Sequence, residues 1–327
     1  MKSLLSIEET KELIEQGKSL LIAAEEELIA KLPKGNWIAG TIPYFMGDDG
    51  GIMSKEVLQV TVLPEFSALN KIKAYSKEEL SSIPKEYPEN GASFIIIPAA
   101  SEVHQEFANN CISYEGIFDR PLVGWISGVD LAELGKKTPK VISGVDLKSY
   151  ENEALVMHLD LEEKYFAQVD IINLFEQSKG DVIQFEKVGF EVDECLVNGE
   201  KRNFFDYIKE KEINIESPLV ANFSGAMVNV SFQALDEENK KVALYAPVFE
   251  GIEYKIANSV ADYEKEFQAY LDEKNIVPAF SCNCILNYLY ANLEGKKTGN
   301  IKGPITFGEI AYMLLNQTLV YLSFVEK

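Results

Sequence analysis

The sequence predicts an α+β (or α/β) protein of two packed lobes, each a mixed β-sheet covered by helices. Its 327 residues are more than one average domain needs, so we expect two domains. The apolar runs at residues 93–98 and 121–126 are continuous rather than alternating, which is typical of strands covered on both faces. Segments whose apolar residues recur at helical spacing separate such runs, and this order favours sheets covered by helices.

The chain opens with a helix, a strand and a hairpin. Ser6 and Glu9 have the spacing of a capping box, which predicts that a short helix begins after Ser6. The apolar run at residues 20–23 predicts a strand. The segment 36–63 predicts a β-hairpin, because an acidic, glycine-rich turn at residues 47–51 precedes residues that alternate with a period of two.

The rest of the first half repeats a strand–helix–strand order, with a helix predicted at residues 101–110. The pattern is weakest around residues 164–180, and we place the domain boundary there. This divides the chain into an N-terminal lobe, residues 1–179, and a C-terminal lobe, residues 180–327. The second lobe begins with several predicted strands, and a helix predicted at residues 259–274 leads into the last fifty residues.

The composition disfavours two classes of partner. The formal net charge is −21 and the sequence pI is about 4.6, and a field of that sign repels nucleic acids and anionic lipids. We therefore expect no nucleic-acid partner and no membrane. No apolar run approaches the roughly 20 residues of a membrane-spanning helix, and the N-terminus becomes acidic too early for a signal peptide. We expect a cytoplasmic protein whose four cysteines stay as thiols.

The most informative segment is the last fifty residues. An apolar run at residues 276–280 predicts a strand that ends in the turn Ser281-Cys282-Asn283-Cys284, and a helix is predicted to follow at 285–293. Further on, Gly308-Glu309 and Asn316-Gln317-Thr318 precede other apolar runs. Polar side chains clustered at strand ends are where open α/β sheets bind ligands, so these residues predict a pocket.

Cys282 and Cys284 have several interpretations. A thiolate just before a helix is stabilised by the amide dipoles, which lowers its pKa and suits a nucleophile or a redox pair. A metal site needs more ligands than the sequence offers at a recognisable spacing, so we expect no metal and no cofactor. A catalytic thiol needs a base, yet His104 and His158 both fall inside predicted elements, where a structural role is expected. The remaining interpretation is that two small side chains pack where a strand meets a helix.

Three polar residues are further candidates for binding a ligand. The Glu309 carboxylate could hold an ammonium group, because the preceding Gly308 allows close approach of the backbone. Asn316 and Thr318 would lie beside it. The alternative interpretation is a helix cap or a turn in which the carboxylate is solvated.

Three aromatic residues are candidates for an apolar wall. Trp125 ends a predicted strand among small residues, where it could stack on a ligand or fill the core. Tyr44 and Phe45 adjoin the acidic turn, so they could belong to a mobile flap over a pocket or to an ordinary hairpin.

These motifs resemble the FIST family of sensory domains. The C-terminal likeness lies in Phe280-Ser281-Cys282-Asn283, Gly308-Glu309-Ile310, Asn316-Gln317-Thr318 and residues 246–251. Residues 94–98 and 123–128 are similar to a strand of the N-terminal FIST domain and its glycine-rich continuation. The resemblance implies a divergent, stand-alone relative. It also implies a sensory module of a family thought to bind small ligands, amino acids among them, and to work with signalling domains.

The leading hypothesis is a cytosolic small-molecule-binding protein of sensory type, whose ligand is an amino acid or a similar metabolite and whose signalling partner is unknown. Its predicted ligand-binding residues are Cys282, Asn283, Glu309, Asn316, Thr318, Trp125, Tyr44 and Phe45. The first alternative is an enzyme that uses Cys282 or Cys284 as a nucleophile, and a protein without catalytic activity is favoured over it. The second alternative is a ligand-free interaction protein, which a large exposed apolar patch would indicate.

Overall fold

The protein is described by a computed structural model that covers residues 2–223, 225–274 and 278–327. Strands account for 43% of the residues and helices for 18%, arranged as several mixed sheets with few helices. The α+β class is therefore confirmed. Among the described residues, no helix combines the length and the apolar character that crossing a membrane requires.

The first half of the chain is built mainly of strands. Its helices are α1 (Ile7–Glu15), α2 (Glu26–Ile29) and α3 (Glu102–Asn110), with 3-10 turns at Leu80–Glu86, Cys111–Ser113 and Leu131–Glu133. Its strands are β1 (Leu4–Leu5), β2 (Leu20–Ala24), β3 (Trp37–Thr41), β4 (Tyr44–Gly47), β5 (Gly50–Met53), β6 (Leu58–Val62), β7 (Ser67–Tyr75), β8 (Gly91–Pro98), β9 (Leu122–Ser127), β10 (Val141–Ser143), β11 (Ser149–Tyr150), β12 (Ala154–Leu161) and β13 (Tyr165–Ile172).

The second half continues in the same style. Its helices are α4 (Phe204–Glu210), α5 (Tyr263–Lys274) and α6 (Ile285–Tyr290). Its strands are β14 (Ile183–Gln184), β15 (Gly189–Val192), β16 (Glu194–Val197), β17 (Glu200–Asn203), β18 (Leu219–Phe223), β19 (Ala226–Val230), β20 (Phe232–Asp236), β21 (Lys241–Val248), β22 (Tyr254–Ile256), β23 (Phe280–Cys284), β24 (Gly303–Thr306), β25 (Glu309–Ala311), β26 (Met313–Leu315) and β27 (Leu319–Glu326).

These strands form five sheets. Sheet A has the strand order β1-β6-β2-β3-β10-β11, sheet B the order β26-β25-β9-β8-β12-β7, and sheet C the order β13-β27-β23-β24-β4-β5. Sheet D has the order β17-β16-β14-β22-β18-β19, and the three-stranded sheet E the order β15-β21-β20. Parallel pairs occur at β2–β3, β8–β9 and β23–β24, and the other pairs are antiparallel, so sheets A, B and C are mixed.

Strands from the end of the chain lie in the same sheets as strands from its first half. Strand β24 pairs with β4, β25 with β9 and β27 with β13, so the last strands complete sheets that begin in the first half. Sheets D and E contain only strands that lie between residues 183 and 256. Sheets B and C thus hold strands from both sides of residue 179. The division into lobes 1–179 and 180–327 stays a prediction.

Continuous apolar runs do correspond to strands that are buried on both faces. Every residue of β2, β8 and β9 is buried, as their lack of alternation predicts. Phe94 and Ile96 lie on the same face of β8, because side chains alternate along a strand. Phe94 packs edge-on against Phe280 of sheet C, with ring centroids 5.5 Å apart. Ile96 lies against Gly40 of sheet A. Sheets A and C therefore pack on the same face of sheet B.

The predicted N-terminal helix is confirmed, and the hairpin region is more complex than predicted. Helix α1 begins with a capping box in which the Glu9 amide donates to Ser6 Oγ (3.2 Å) and the Ser6 amide donates to Glu9 Oε2 (2.7 Å). Within residues 36–63, only β4 and β5 pair as a hairpin across the turn. The flanking strands β3 and β6 both pair with β2 in sheet A.

Close packing of β9 between β8 and β25 yields a first prediction. A Cβ atom at Gly124 would lie 1.7 Å from the Ile95 carbonyl oxygen, which is backbone and cannot give way. We expect Gly124→Ala to lower the free energy of unfolding by about 1–3 kcal/mol or more, because overpacked cores are strained. Gly189→Ala is the matched control, since its added Cβ would meet Glu191 O at an ordinary 3.7 Å. Urea unfolding of both variants measures the effect, and equal stabilities would contradict it.

Candidate functional site

Several of the predicted residues come together around Glu309. Thr318 Oγ1 donates to Glu309 Oε2 at 2.9 Å, the Thr318 amide donates to the same oxygen at 3.4 Å, and Thr306 Oγ1 lies 3.4 Å from Oε1. The Cys284 thiol lies close enough to this carboxyl group that each affects the pKa of the other. Thr306 is the last residue of β24, Glu309 is the first residue of β25, Cys284 is the last residue of β23, and Thr318 directly precedes β27. We call Asn283, Cys284, Thr306, Glu309 and Thr318 the Glu309 cluster.

Asn283 ties the cluster to helix α6. Its Oδ1 accepts hydrogen bonds from the Cys284 amide (2.8 Å) and from Asn287 Nδ2 (3.0 Å). Asn287 Nδ2 also donates to the Thr318 carbonyl at 3.3 Å, so one amide side chain bridges two strands. These bonds place polar atoms where β23 ends and α6 begins, inside the core.

The Glu309 cluster is sealed from solvent. None of its five residues is more than 3% exposed. Burial raises the pKa of Glu309 well above its ordinary value, although the hydrogen bonds from Thr318, Cys284 and Thr306 act in the opposite direction. The cluster has the properties of an interior hydrogen-bonding network around a carboxyl group that favours its neutral form.

The two thiols lie within a strand rather than in a turn after it. The sequence predicts that the strand ends before Ser281, but β23 continues to Cys284, and Cys282 and Cys284 share one face of it. The polar residues of this segment resemble turn signals in sequence, yet neighbouring strands provide partners for them. Residues 276 and 277 of the predicted strand lie outside the described residues. Helix α6 follows directly and ends at Tyr290, earlier than predicted.

Neither thiol has the properties of a nucleophile. Both are 1% exposed, and burial raises the pKa of each well above its usual value, with the neighbouring Glu309 adding to the shift. A reactive cysteine needs access to solvent and a lowered pKa. Cys282 Sγ donates to the Gly124 carbonyl at 3.3 Å, which is a packing contact between sheets C and B.

The histidines have hydrogen-bond partners other than these thiols. His158 is fully buried, with Ser93 Oγ 2.7 Å from its Nδ1 and Tyr75 Oη 3.1 Å from its Nε2. His104 Nδ1 accepts from the Ala100 amide at 3.2 Å. Burial lowers the pKa of both to about 4, so each is neutral at neutral pH. Across residues 2–223, 225–274 and 278–327, no group of three His, Cys, Asp or Glu side chains is arranged to hold a metal ion.

Other predicted residues lie near the cluster but face packed protein. Trp125 is opposite Glu309 in the β9–β25 register and stacks on Phe280, with ring centroids 5.7 Å apart. Asn316 is 1% exposed, and its Nδ2 donates to the Leu315 carbonyl at 3.1 Å. Both therefore line the interior of the protein rather than an open pocket.

Tyr44 and Phe45 lie in β4 and form no mobile flap, since all four residues of this strand are buried. Phe45 belongs to the core. The Tyr44 hydroxyl donates to Asp130 Oδ1 (3.3 Å) and accepts from the Leu131 amide (3.1 Å). Tyr44 thus points to a second cluster, which lies at the surface.

This second cluster occupies a cleft where three strands end. Strands β2 and β3 are parallel and end side by side, with Ala24 in register with Thr41. Strand β9 ends next to them, because the Gly128 amide donates to the Thr41 carbonyl at 2.7 Å. Carboxyl ends of parallel strands are the usual place for ligands in open α/β sheets. This strand-end cleft is lined by Glu25, Glu26, Thr41, Ile42, Pro43, Gly128, Val129, Lys137 and Thr138.

Two lysines form ion pairs with Glu25 of the strand-end cleft: Lys137, which lines it, and Lys55, which lies beside it. Lys137 Nζ lies 3.2 Å from Glu25 Oε2, 3.2 Å from Glu27 Oε1 and 3.4 Å from Glu133 Oε2. Lys55 Nζ lies 2.7 Å from Asp130 Oδ2, 3.0 Å from Glu133 Oε2 and 3.9 Å from Glu25 Oε1. Four carboxylates thus surround two ammonium groups, which leaves a surplus of negative charge in the cleft.

Glu25 is the central group of the strand-end cleft. It is only 7% exposed, and burial raises its pKa although Lys137 and Lys55 act in the opposite direction. Asp130, beside it, has its pKa lowered by hydrogen bonds from Lys55 and the Ala132 amide. The free space in the cleft is about 10 Å³, close to what one water molecule needs. A larger ligand requires a lysine side chain to move.

Sequence reasoning missed the residues of this cleft. Glu25 lies two residues after the end of the predicted strand at 20–23, and Asp130 lies four residues after the end of the predicted strand at 121–126. The same strand-end rule that singled out residues 281–284 applies to both. No sequence signal identifies Lys55 and Lys137, because they reach the cleft from loops.

The buried Glu309 carboxyl group predicts a specific pH dependence. Its pKa is higher in the folded protein than in the unfolded chain, so its contribution to stability is complete below the unfolded pKa and is lost as the pH rises. Relative to Glu309→Gln, we expect the wild-type free energy of unfolding to fall by up to about 1.4 kcal/mol per pH unit above roughly pH 4.3.

Urea unfolding of the wild type and of Glu309→Gln between pH 5 and pH 8 measures this difference. Glu65→Gln serves as the control, because its side chain is 86% exposed. Wild-type and Glu309→Gln stabilities that run parallel with pH would show that the carboxyl group is not shifted in this direction.

Thiol reactivity is predicted to be low. All four cysteines are free and buried, and burial raises the pKa of Cys111 to about 12 and of Cys195 to about 11. We therefore expect a water-soluble aromatic disulfide reagent to leave all four thiols unmodified in the native protein at pH 7 and to modify all four after unfolding in urea. Rapid reaction of one native thiol would restore the interpretation of Cys282 or Cys284 as a nucleophile.

Comparison with known proteins gives one result for the family. No curated protein matches the chain. The sequence model of a family of unknown function, DUF6976, matches residues 5–325, which is almost the whole chain. The inferred relationship to the FIST family is therefore wrong, because its short motifs at residues 280–283, 308–310 and 316–318 are contained in a match to a different family. The chain belongs to the family of unknown function DUF6976.

Proposed function

We propose that this protein binds a small ammonium-bearing metabolite, of amino-acid type, in the strand-end cleft. The observation that carries the proposal is Glu25, an almost fully buried carboxylate held between two partly exposed lysines where β2, β3 and β9 end. Perturbed carboxyl groups in clefts at strand ends are characteristic of binding sites. The Glu309 cluster, in contrast, offers no access to a ligand.

The charges of the cleft suit a zwitterion. Its surplus carboxylates attract an ammonium group, for which Glu25 and Asp130 provide oxygen acceptors. The lysines provide partners for a carboxylate. An amino acid would thus exchange its own two charges for part of the existing ion pairs, with its ammonium group facing the surplus carboxylates and its carboxylate facing a lysine.

Entry of the ligand requires Lys137 to move, because the free space is close to that of one water molecule. The Lys137 side chain is 37% exposed, and its ammonium group pairs with Glu25, Glu27 and Glu133. It can therefore turn outward without opening the core. The pairs of Lys137 with Glu27 and Glu133 are partly exposed and contribute little stability, and Lys55, 3.9 Å from Glu25, leaves this buried carboxylate with a partner when Lys137 turns outward.

The proposal includes a cytoplasmic location and a sensory role. The four free thiols suit a reducing compartment, and the net charge of −21 disfavours nucleic acids and anionic membrane surfaces as partners. A sensory role would need a signalling partner, for which an exchange of ion pairs on the surface provides a local change that a second protein can detect. A thiol enzyme receives no support from the buried cysteines.

A thermal-shift screen of amino acids and small amines, followed by calorimetric titration, tests the proposal. A ligand at 100 times its Kd stabilises the folded protein by about 2.7 kcal/mol. We expect Glu25→Gln and Lys137→Met each to weaken binding, at about 1.5–3 kcal/mol per lost charged hydrogen bond. Glu65→Gln and Lys18→Met remove a similar ion pair elsewhere on the surface and should leave affinity unchanged.

Two results would contradict the proposal. One is the absence of binding by every amino acid and amine tested. The other is binding that Glu25→Gln and Lys137→Met leave intact, which would place the ligand elsewhere in the protein.

A further inference from the structure

Lys137 already places a primary ammonium group in the strand-end cleft. Its Nζ atom lies 3.2 Å from Glu25 Oε2, 3.2 Å from Glu27 Oε1 and 3.4 Å from Glu133 Oε2. A primary ammonium group carries three N–H donors, so each of these carboxylates can accept one of them. The position between the three carboxylates therefore suits an alkylammonium group, whichever molecule supplies it.

The charge of the cleft favours a ligand that carries a net positive charge. Its four carboxylates and two ammonium groups leave two negative charges in surplus. An amino acid with a neutral side chain has no net charge near neutral pH, so it leaves this surplus unchanged. An amino acid with a second ammonium group adds one net positive charge and reduces the surplus.

An apolar wall lies beside these charges. Ile42, Pro43 and Val129 line the strand-end cleft, and all three are buried. Lys137 lines the same cleft, so the cleft already accommodates an unbranched alkyl chain that ends in an ammonium group. The methylene groups of such a chain gain free energy when apolar side chains cover them.

We infer that the ligand is an amino acid whose side chain is an unbranched alkyl chain ending in a primary ammonium group, as in lysine and ornithine. This inference rests on the proposed function, because it specifies the ligand of the same cleft. The side-chain ammonium group of the ligand takes the position that Lys137 Nζ leaves, between Glu25, Glu27 and Glu133. The α-carboxylate of the ligand faces the outward-turned Lys137.

This exchange leaves the surroundings of Glu25 unchanged in charge. The Lys137 amide donates to the Glu133 carbonyl at 3.1 Å, a backbone bond that does not depend on where the side chain points. Lys55 keeps its pairs with Asp130 Oδ2 at 2.7 Å and Glu133 Oε2 at 3.0 Å. One alkylammonium group thus replaces another, and Glu25 stays beside two of them.

Two other kinds of cation suit this position less well. A trimethylammonium group carries the same charge but has no N–H to donate to the carboxylates. The guanidinium group of arginine holds its donors in a planar fork, which suits the two oxygens of one carboxylate better than three separate carboxylates.

Calorimetric titration of the wild type with L-lysine, L-norleucine and ε-N-trimethyl-L-lysine tests the inference. Norleucine has the same unbranched carbon chain as lysine but no side-chain ammonium group, and trimethyl-lysine keeps the charge but not the donors. We expect lysine to bind about tenfold or more tightly than either, because hydrogen bonds to charged groups contribute at least this factor.

Glu27→Gln tests the predicted position of the side-chain ammonium group. Both lysine and norleucine displace Lys137, so the cost of that displacement cancels in the ratio of their affinities. We expect the preference for lysine over norleucine to fall by about two- to fivefold, because the Glu27 side chain is 65% exposed. Glu186→Gln is the matched control, since its side chain is 58% exposed and pairs with Lys201 just after β14, and it should leave the preference unchanged. Circular dichroism checks that each variant is folded.

The outcomes separate this inference from the proposed function. If norleucine binds as tightly as lysine and Glu25→Gln abolishes both, the inference is wrong and the proposed function stands. Trimethyl-lysine that binds as tightly as lysine, or a preference that Glu27→Gln leaves unchanged, would also overturn the inference alone. Absence of binding by every amino acid, or binding that Glu25→Gln leaves intact, would overturn both.

Discussion

Pairing of β25 with β9 is the contact on which the rest of the structure depends. It joins a strand from the end of the chain to the middle of a sheet made in its first half, and it sets Glu309 opposite Trp125. Gly124 lies in the same register, opposite both Ile95 of β8 and Ile310 of β25. Long-range pairing of this kind is slow to form, because the connecting chain must be ordered first. Once formed, it determines which side chains are interior.

Because β25 pairs with β9, the polar side chains around Glu309 are enclosed in the interior, and this explains why they hydrogen-bond to one another. Strands β23, β24, β25 and β27 meet over a small area, and polar groups buried there must bond to one another. Thr318, Thr306 and Asn287 supply the donors that Glu309 and Asn283 accept. A slip of one residue in β27 would turn Thr318 away from the carboxyl group, so the network also specifies the register of the strand.

Local sequence patterns predicted individual helices and strands, but they did not predict which strands pack beside one another. The runs at 20–23 and 93–98 predicted strands because burial on both faces leaves a continuous apolar sequence, and Ser6 and Glu9 predicted a helix because the capping bonds are local. The segment 281–284 looked like a turn, since its partners are distant in sequence. Ser281 Oγ donates to the Lys302 carbonyl (2.9 Å), and no local pattern contains that bond.

The strand-end rule was applied to one candidate site where it needed to be applied to two. The rule predicted that Glu309 lies near Asn283 and Cys284, and Thr306 links Glu309 to Asn283 in the structure. Whether residues at strand ends face a pocket, however, depends on which sheet covers them. Sheet B covers β23, as the bond from Cys282 to Gly124 shows. At Glu25 the same rule leads to the surface, but the lysines that complete that cleft come from loops whose path the sequence does not encode locally.

The two polar clusters differ in what their charges contribute to stability. Glu309 is bonded by neutral donors that are themselves buried, so its carboxyl group has partners without a ligand. Glu25 relies on ammonium groups at the ends of flexible, partly exposed side chains, and such pairs barely offset the cost of burying a carboxylate. Apolar residues would stabilise the strand ends more effectively. The ion pairs of the strand-end cleft therefore add little to folding, and the proposed charged ligand would give these charges a role that folding does not.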